Sequence, residues 1–329
     1  MFVVKFVVIF FIITGSLYSS LGRAQSDFTK LVVFGDSLSD TGNLAFVDFP
    51  PPYFENRISD GPVSADFLAL KVGSNADRSG HLLDQTGGFN FAVAGGNIVG
   101  ADREDLSSQV TAYLDRTNGD ADSDALYLIF IGGNDIRGLR SIASLPSAES
   151  SISEIVASLE VQIDRLVAAG ARAFLVPNVA NIGRLPETIE KETSIPGVRA
   201  RSELHSRAYN SALASMLEKY KTDRDVSLVE FDLFGALETI LDNPASFGFS
   251  TVDEGCFDPS ELEIELECAL FGFERRPFFD SLHPSSATNR IISAQLTADL
   301  PVLIQTSAAS SKSMITPIIL LLLDDKTDL

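Results

Sequence analysis

A serine, a histidine and an aspartate stand in this sequence in settings that suit nucleophilic attack on a carbonyl. Ser37 lies in Phe34-Gly35-Asp36-Ser37-Leu38-Ser39-Asp40-Thr41-Gly42-Asn43, directly after Leu31-Val32-Val33. Three apolar residues, two of them β-branched, read as a short buried strand. The glycine beside it permits a sharp turn that projects a hydroxyl into a cleft. The block is not the G-x-S-x-G elbow, because Ser39 stands where the second glycine belongs. A serine needs a base to take its proton, best supplied by a histidine that a carboxylate holds in one tautomer. His205 falls in a helical pattern beside Arg201, Glu203 and Arg207, which places it on a solvated face, and His81 lies in a polar loop with no evident partner. His283 differs: Phe278-Phe279-Asp280-Ser281-Leu282-His283-Pro284 puts an acid three residues before it. On one turn, that spacing lets Asp280 accept from Nδ1 while Nε2 faces outward. Taken alone, this reads equally as a surface Asp–His pair, and the serine block as a simple turn.

Acyl transfer also needs donors aimed where charge develops on the carbonyl oxygen. Ile131-Gly132-Gly133-Asn134-Asp135 follows the strand-like run Leu126–Ile131, and Asn134 can present its side-chain NH₂ there. A second glycine turn, Asn90-Phe91-Ala92-Val93-Ala94-Gly95-Gly96-Asn97, can aim a backbone N–H the same way.

The elements that must position these groups alternate. Strands are expected at Leu31–Phe34, Leu126–Ile131, Ala173–Val176 and Ser227–Phe231, and helices at Val63–Leu70, Ser151–Ala169, Val198–Tyr220 and Leu233–Leu241. A last helix starts at the Ser285-Ser286 cap and runs through Leu296. Such alternation predicts a parallel sheet flanked by helices, with catalytic groups at the carboxyl ends of its strands. The stretches 48–90 and 243–277 are polar and less regular, and read as loops around that edge. Pro50-Pro51-Pro52-Tyr53-Phe54 either lines a substrate cleft or packs on the surface.

With Ser37, Asn134, Asp280 and His283 in this order, the chain resembles the GDSL, or SGNH, hydrolases over nearly the whole length expected after signal removal. Gly35-Asp36-Ser37-Leu38 is similar to the nucleophile block, Gly132-Gly133-Asn134-Asp135 to the asparagine block, and Asp280 with His283 to the final D-x-x-H block. Gly95 is taken as the match to the glycine block, from its distance to Asn90. Glu55–Val63 and Asn243–Phe249 resemble segments of a secreted bacterial branch that includes lipolytic enzymes. The resemblance implies a three-layer α/β/α sandwich with a central parallel sheet. It also implies a Ser37–His283–Asp280 triad, an oxyanion hole from the N–H groups of Ser37 and Gly95 and the amide of Asn134, and no metal or cofactor. The function expected is ester hydrolysis through an acyl-enzyme. Removal of acetyl groups from a polysaccharide, acyl transfer to another alcohol, and a silent carbohydrate- or surface-binding module are the alternatives.

The ends and the charge bound the rest. Lys5 within the apolar run Phe2–Ile13, followed by Gly22-Arg23-Ala24, reads as a signal peptide over residues 1–24. The alternative, an uncleaved anchor, has an apolar run short of the ~20 residues of a bilayer span. A hydrolase domain is expected over 25–305 and a flexible or sorting-like tail over 306–329. Export places the chain outside the cell, at its surface or in the periplasm, with no stable membrane span after cleavage. A net charge of −20 disfavours nucleic acid and anionic surfaces as partners and fits a neutral substrate; the resemblance implies a small-molecule, lipid or carbohydrate ester. Cys256 and Cys268 are expected to form a disulfide, the rival being two free thiols, and no histidine lies beside them to complete a zinc site.

Overall fold

Three of the four long strands are apolar or aromatic at nearly every position, so neither face can be left in water. These are β1 (Leu31–Gly35), β2 (Leu126–Phe130) and β3 (Ala173–Pro177), all fully buried. β4 (Ser227–Phe231) carries Glu230 and is half-exposed at two positions, as suits an edge strand. The computed structural model, which describes residues 28–44, 48–222, 225–298 and 300, arranges them as one parallel sheet in the order β1-β2-β3-β4. The expected signal peptide and the 306–329 tail lie outside these residues. Gly35 pairs with Phe130 and Pro177 with Phe231, so the carboxyl ends of the strands form one edge. On the far side of β1, residues 89–93 extend the ladder: the N–H of Phe91 donates to Val33 O (2.7 Å) and that of Val93 to Gly35 O (3.1 Å). That pairing brings the Gly95 turn alongside the end of β1.

In chain order the helices begin with α1 (Ser64–Lys71), α2 (Leu106–Arg116), α3 (Gly133–Gly138), α4 (Leu145–Ala169) and α5 (Pro186–Lys191). They continue with α6 (Val198–Lys221), α7 (Leu233–Asp242), α8 (Pro244–Phe247), α9 (Leu266–Phe271) and α10 (Ser286–Leu296). A short hairpin, β5 (Phe257–Asp258) and β6 (Glu263–Ile264), precedes α9. Alternate sheet residues enter separate cores. Val32, Phe34, Tyr127, Ile129 and Phe174 meet α2, α4 and α6, while Leu31, Val33, Leu128 and Leu175 meet α1, α7 and α10. The result is a three-layer α/β/α sandwich.

The four expected strands and five expected helices are present, with ends displaced by a few residues. α4 starts at Leu145 rather than Ser151, where Pro146 in the first turn presets the backbone angle. The stretches 48–90 and 243–277 are more regular than expected: the second contains α8, the β5–β6 hairpin and α9. α2 was hidden by its polar residues, although Leu106, Gln109, Val110 and Tyr113 form one buried face.

Candidate active site

The serine is positioned by the way β1 stops. At Gly35 an added Cβ would lie 2.7 Å from Phe130 O, so only glycine lets the two strand ends approach this closely. Gln109, fully buried on α2, holds the same residue from the side: its Oε1 accepts the Gly35 N–H (2.9 Å) and its Nε2 donates to Gly35 O (2.7 Å). The chain then turns tightly, with Ser39 and Asp40 N–H donating to Asp36 O and Leu38 N–H donating to Asp36 Oδ1 (3.0 Å). Asp40 closes the next turn by accepting the N–H groups of Gly42 and Asn43, and also that of Ala94 beside Gly95. Gln109 and the two aspartates escaped the sequence reading. A polar residue on the apolar stripe of α2 was the signal for the first.

His283 arrives from the other end of the chain. Its Nε2 stands 2.9 Å from Ser37 Oγ, and its Nδ1 stands 2.8 Å from Asp280 Oδ2. Asp280 Oδ1 also accepts the N–H groups of Leu282 (2.8 Å) and His283 (2.6 Å), so the carboxylate closes the turn that carries the imidazole. Burial alone would raise the Asp280 pKa, but the His283 charge and these hydrogen bonds outweigh it and hold it below the ordinary range. The turn is anchored on two sides. Asp60 accepts the N–H of Ser286 at the start of α10 (2.8 Å). On the other side, the N–H groups of Cys256 and Phe257 donate to Phe279 O (3.0 and 2.8 Å). The Cys256–Cys268 disulfide closes the hairpin that supplies those donors.

The three groups expected as oxyanion donors are the N–H groups of Ser37 and Gly95 and the amide of Asn134. Gly95 has φ +89°, a left-handed conformation that favours glycine, although a Cβ there would meet nothing. Among the described residues, neither the Ser37 N–H nor the Gly95 N–H donates to a protein acceptor. Asn134 sits in the first turn of α3 and gives one Nδ2 hydrogen to Gly96 O (3.0 Å). Its neighbour Asp135 accepts the N–H groups of Ile98 and Val99, which fastens the glycine turn to α3. Asp36, the residue before Ser37, is wholly buried, and that burial pushes its carboxyl pKa up to about 7. A cavity opens beside Ser37 and His283, lined chiefly by apolar side chains that include Val179, Leu185, Leu233, Leu237 and Ile292.

Ser37, Asn134 and His283 line this cavity, Asp280 is hydrogen-bonded behind His283, and Gly95 lies in the turn held at Ala94 by Asp40 and at Gly96 by Asn134. Two expectations about the other histidines fail. His205 is buried with no exposed surface, because α6 is covered along the face that also carries Tyr209 and Leu213. His81 has a partner, Ser79 Oγ at 2.6 Å from Nδ1, and its ring packs near Phe91. Tyr53 of the proline-rich stretch packs edge-on against Phe257 and Phe279, and does not line the cavity.

A parallel-sheet sandwich with a Ser–His–Asp hydrogen-bond chain at its strand ends is the architecture of an SGNH-type hydrolase. The chain belongs to the GDSL-like lipase/acylhydrolase family, whose model matches residues 31–296. A GDSL esterase/lipase of Arabidopsis thaliana is 29% identical over 82% of this chain and 86% of its own length. Another Arabidopsis relative, 25% identical over 79% of this chain and 68% of its own, is described as an inactive GDSL esterase/lipase-like protein. Among solved structures, a lipolytic G-D-S-L family member from Veillonella parvula covers 82% of this chain and 96% of its own, at 11% identity and a TM-score of 0.42.

Proposed function

We propose that this protein is an exported serine ester hydrolase with Ser37 as nucleophile, His283 as general base and Asp280 as the group that orients and stabilises the imidazolium. The observation that supports this most is the continuous chain Ser37 Oγ–His283 Nε2 (2.9 Å) and His283 Nδ1–Asp280 Oδ2 (2.8 Å). His283 takes the hydroxyl proton as Oγ attacks the ester carbonyl. The oxyanion that forms accepts from the N–H groups of Ser37 and Gly95 and the free Nδ2 hydrogen of Asn134. His283 returns the proton to the departing alkoxide, which leaves an acyl group on Ser37. Water, deprotonated by the same imidazole, then releases the acid.

The cavity beside the serine favours an aliphatic acyl group over acetate, because its apolar lining rewards each buried methylene by about 0.8 kcal/mol. Export rests on the 1–24 reading and agrees with a disulfide, which persists in oxidising surroundings. The relative described as inactive supports one rival, a silent binding module; the complete set of five groups here weighs against it. The test is a nitrophenyl ester series from acetate to palmitate, run beside acetylated xylan, on wild type and Ser37→Ala. Turnover that peaks at an intermediate or long acyl chain and vanishes in Ser37→Ala is expected. Acetate preference with release from xylan would favour a sugar esterase, and absence of any Ser37-dependent turnover would leave the binding module.

A further inference from the structure

We propose that Arg137 and Glu187 form a positioning pair that fixes which way the Asn134 amide faces, and thereby aims its free hydrogen at the oxyanion. The inference rests on the ester-hydrolase reading and names residues that the family blocks do not. Asn134 and Arg137 are one turn apart on α3. Arg137 Nη2 donates to Asn134 Oδ1 (3.4 Å), while Asn134 Nδ2 donates to Gly96 O (3.0 Å). With its carbonyl toward the guanidinium and one amino hydrogen on Gly96, the amide has a single hydrogen left for the oxyanion. A flipped amide would set its NH₂ against the guanidinium. It would also turn a carbonyl oxygen toward both Gly96 O and the developing negative charge.

The guanidinium is itself held. Glu187 Oε1 accepts from Arg137 Nη1 (3.3 Å) and from Arg140 Nη1 (2.5 Å), and Lys191 Nζ stands 3.7 Å from Oε2. Glu187 is 8% exposed, so its charge acts where water screens it weakly. The Arg137 contacts are long and work mainly through charge. The Glu187 backbone N–H donates to Ser281 O (2.8 Å), inside the turn between Asp280 and His283. One residue in the first turn of α5 thus reaches both the amide donor and the acid–base loop. Arg137 also lines the cavity beside Ser37.

The experiment measures kcat and KM on a soluble nitrophenyl butyrate for Arg137→Met, Arg137→Lys and Glu187→Gln, each alone and combined with Asn134→Ala. A misaimed group costs up to about 10²-fold in rate. Arg137→Met is therefore expected to lower kcat by about 10- to 100-fold with KM little changed, and Arg137→Lys to recover part of it. In the Asn134→Ala background neither Arg137→Met nor Glu187→Gln should lower kcat further. Equal losses in both backgrounds, a change confined to KM, or wild-type kcat would overturn the proposal. The ¹⁵N spectrum of the Asn134 side-chain amide gives a readout independent of turnover: its two hydrogens, one bonded to Gly96 O and one free, should change their chemical shifts in Arg137→Met. An unchanged pair would overturn it as well. Lack of Ser37-dependent turnover in wild type would defeat the hydrolase reading alone, because the amide spectrum still judges the positioning.

Discussion

Ser37 and His283 are 246 residues apart in sequence and one hydrogen bond apart in space, so each must be aimed by its own local turn. For Asn134 the expected consequence is direct. Asn134→Ala should lower kcat by about 10²–10³ while Ser37 remains reactive toward a fluorophosphonate; loss of labelling as well would mean that the site had collapsed. Asp36 gives a separate prediction about pH. An unfolded aspartate releases its proton near ~3.9, whereas buried Asp36 keeps its proton up to about 7. Between those values the native state binds more protons than the unfolded one, so stability falls as pH rises. The full shift corresponds to about 4 kcal/mol. Asp36→Asn should flatten the melting temperature between pH 4 and 7, and an unaltered slope would refute the assignment. Asp280 has the opposite sign. Its depressed pKa contributes stability above the ordinary aspartate range, which is lost as pH falls through its folded value.

At the scale of elements, the hairpin behind the acid–base loop is the piece most open to test. Its disulfide joins residues 12 apart, and by chain entropy its loss costs about 3 kcal/mol. Because Cys256 and Phe257 support Phe279 O, Cys256→Ser/Cys268→Ser should lower both the melting temperature and kcat. Retained kcat at a lowered melting temperature would show that the catalytic loop holds itself. The same elements show what could be read in advance. The strands were legible because burial on both faces demands continuous apolar runs such as Leu31–Phe34, and α4 because Ile155, Leu159, Ile163 and Leu166 repeat at helical spacing. Ser37, Asn134, Asp280 and His283 were legible because each follows a strand or precedes a helix within a compact block. Gln109 was not, since its partner is a backbone amide 74 residues away and no local pattern encodes that. Buried His205 misled for a similar reason: charged neighbours on the same helix face outward while the histidine does not.

For the molecule as a whole, charge and topology set the remaining expectations. A chain of net charge −20 repels anionic substrates at a distance set by salt. Turnover of a succinate half-ester should therefore rise with ionic strength while that of a neutral butyrate ester stays flat; a parallel response of both would rule out a long-range field. Topology has a different outcome. The four strands of the parallel sheet among the described residues are complete by Phe231, yet the imidazole comes at residue 283, and one of the two anchors of its turn forms when Asp60 meets Ser286 and Ser64 meets Asn289 on α10. The scaffold can therefore assemble while the Ser37 hydroxyl still lacks its histidine partner, and the Ser37–His283 contact is fully held in place only when α10 docks against α1.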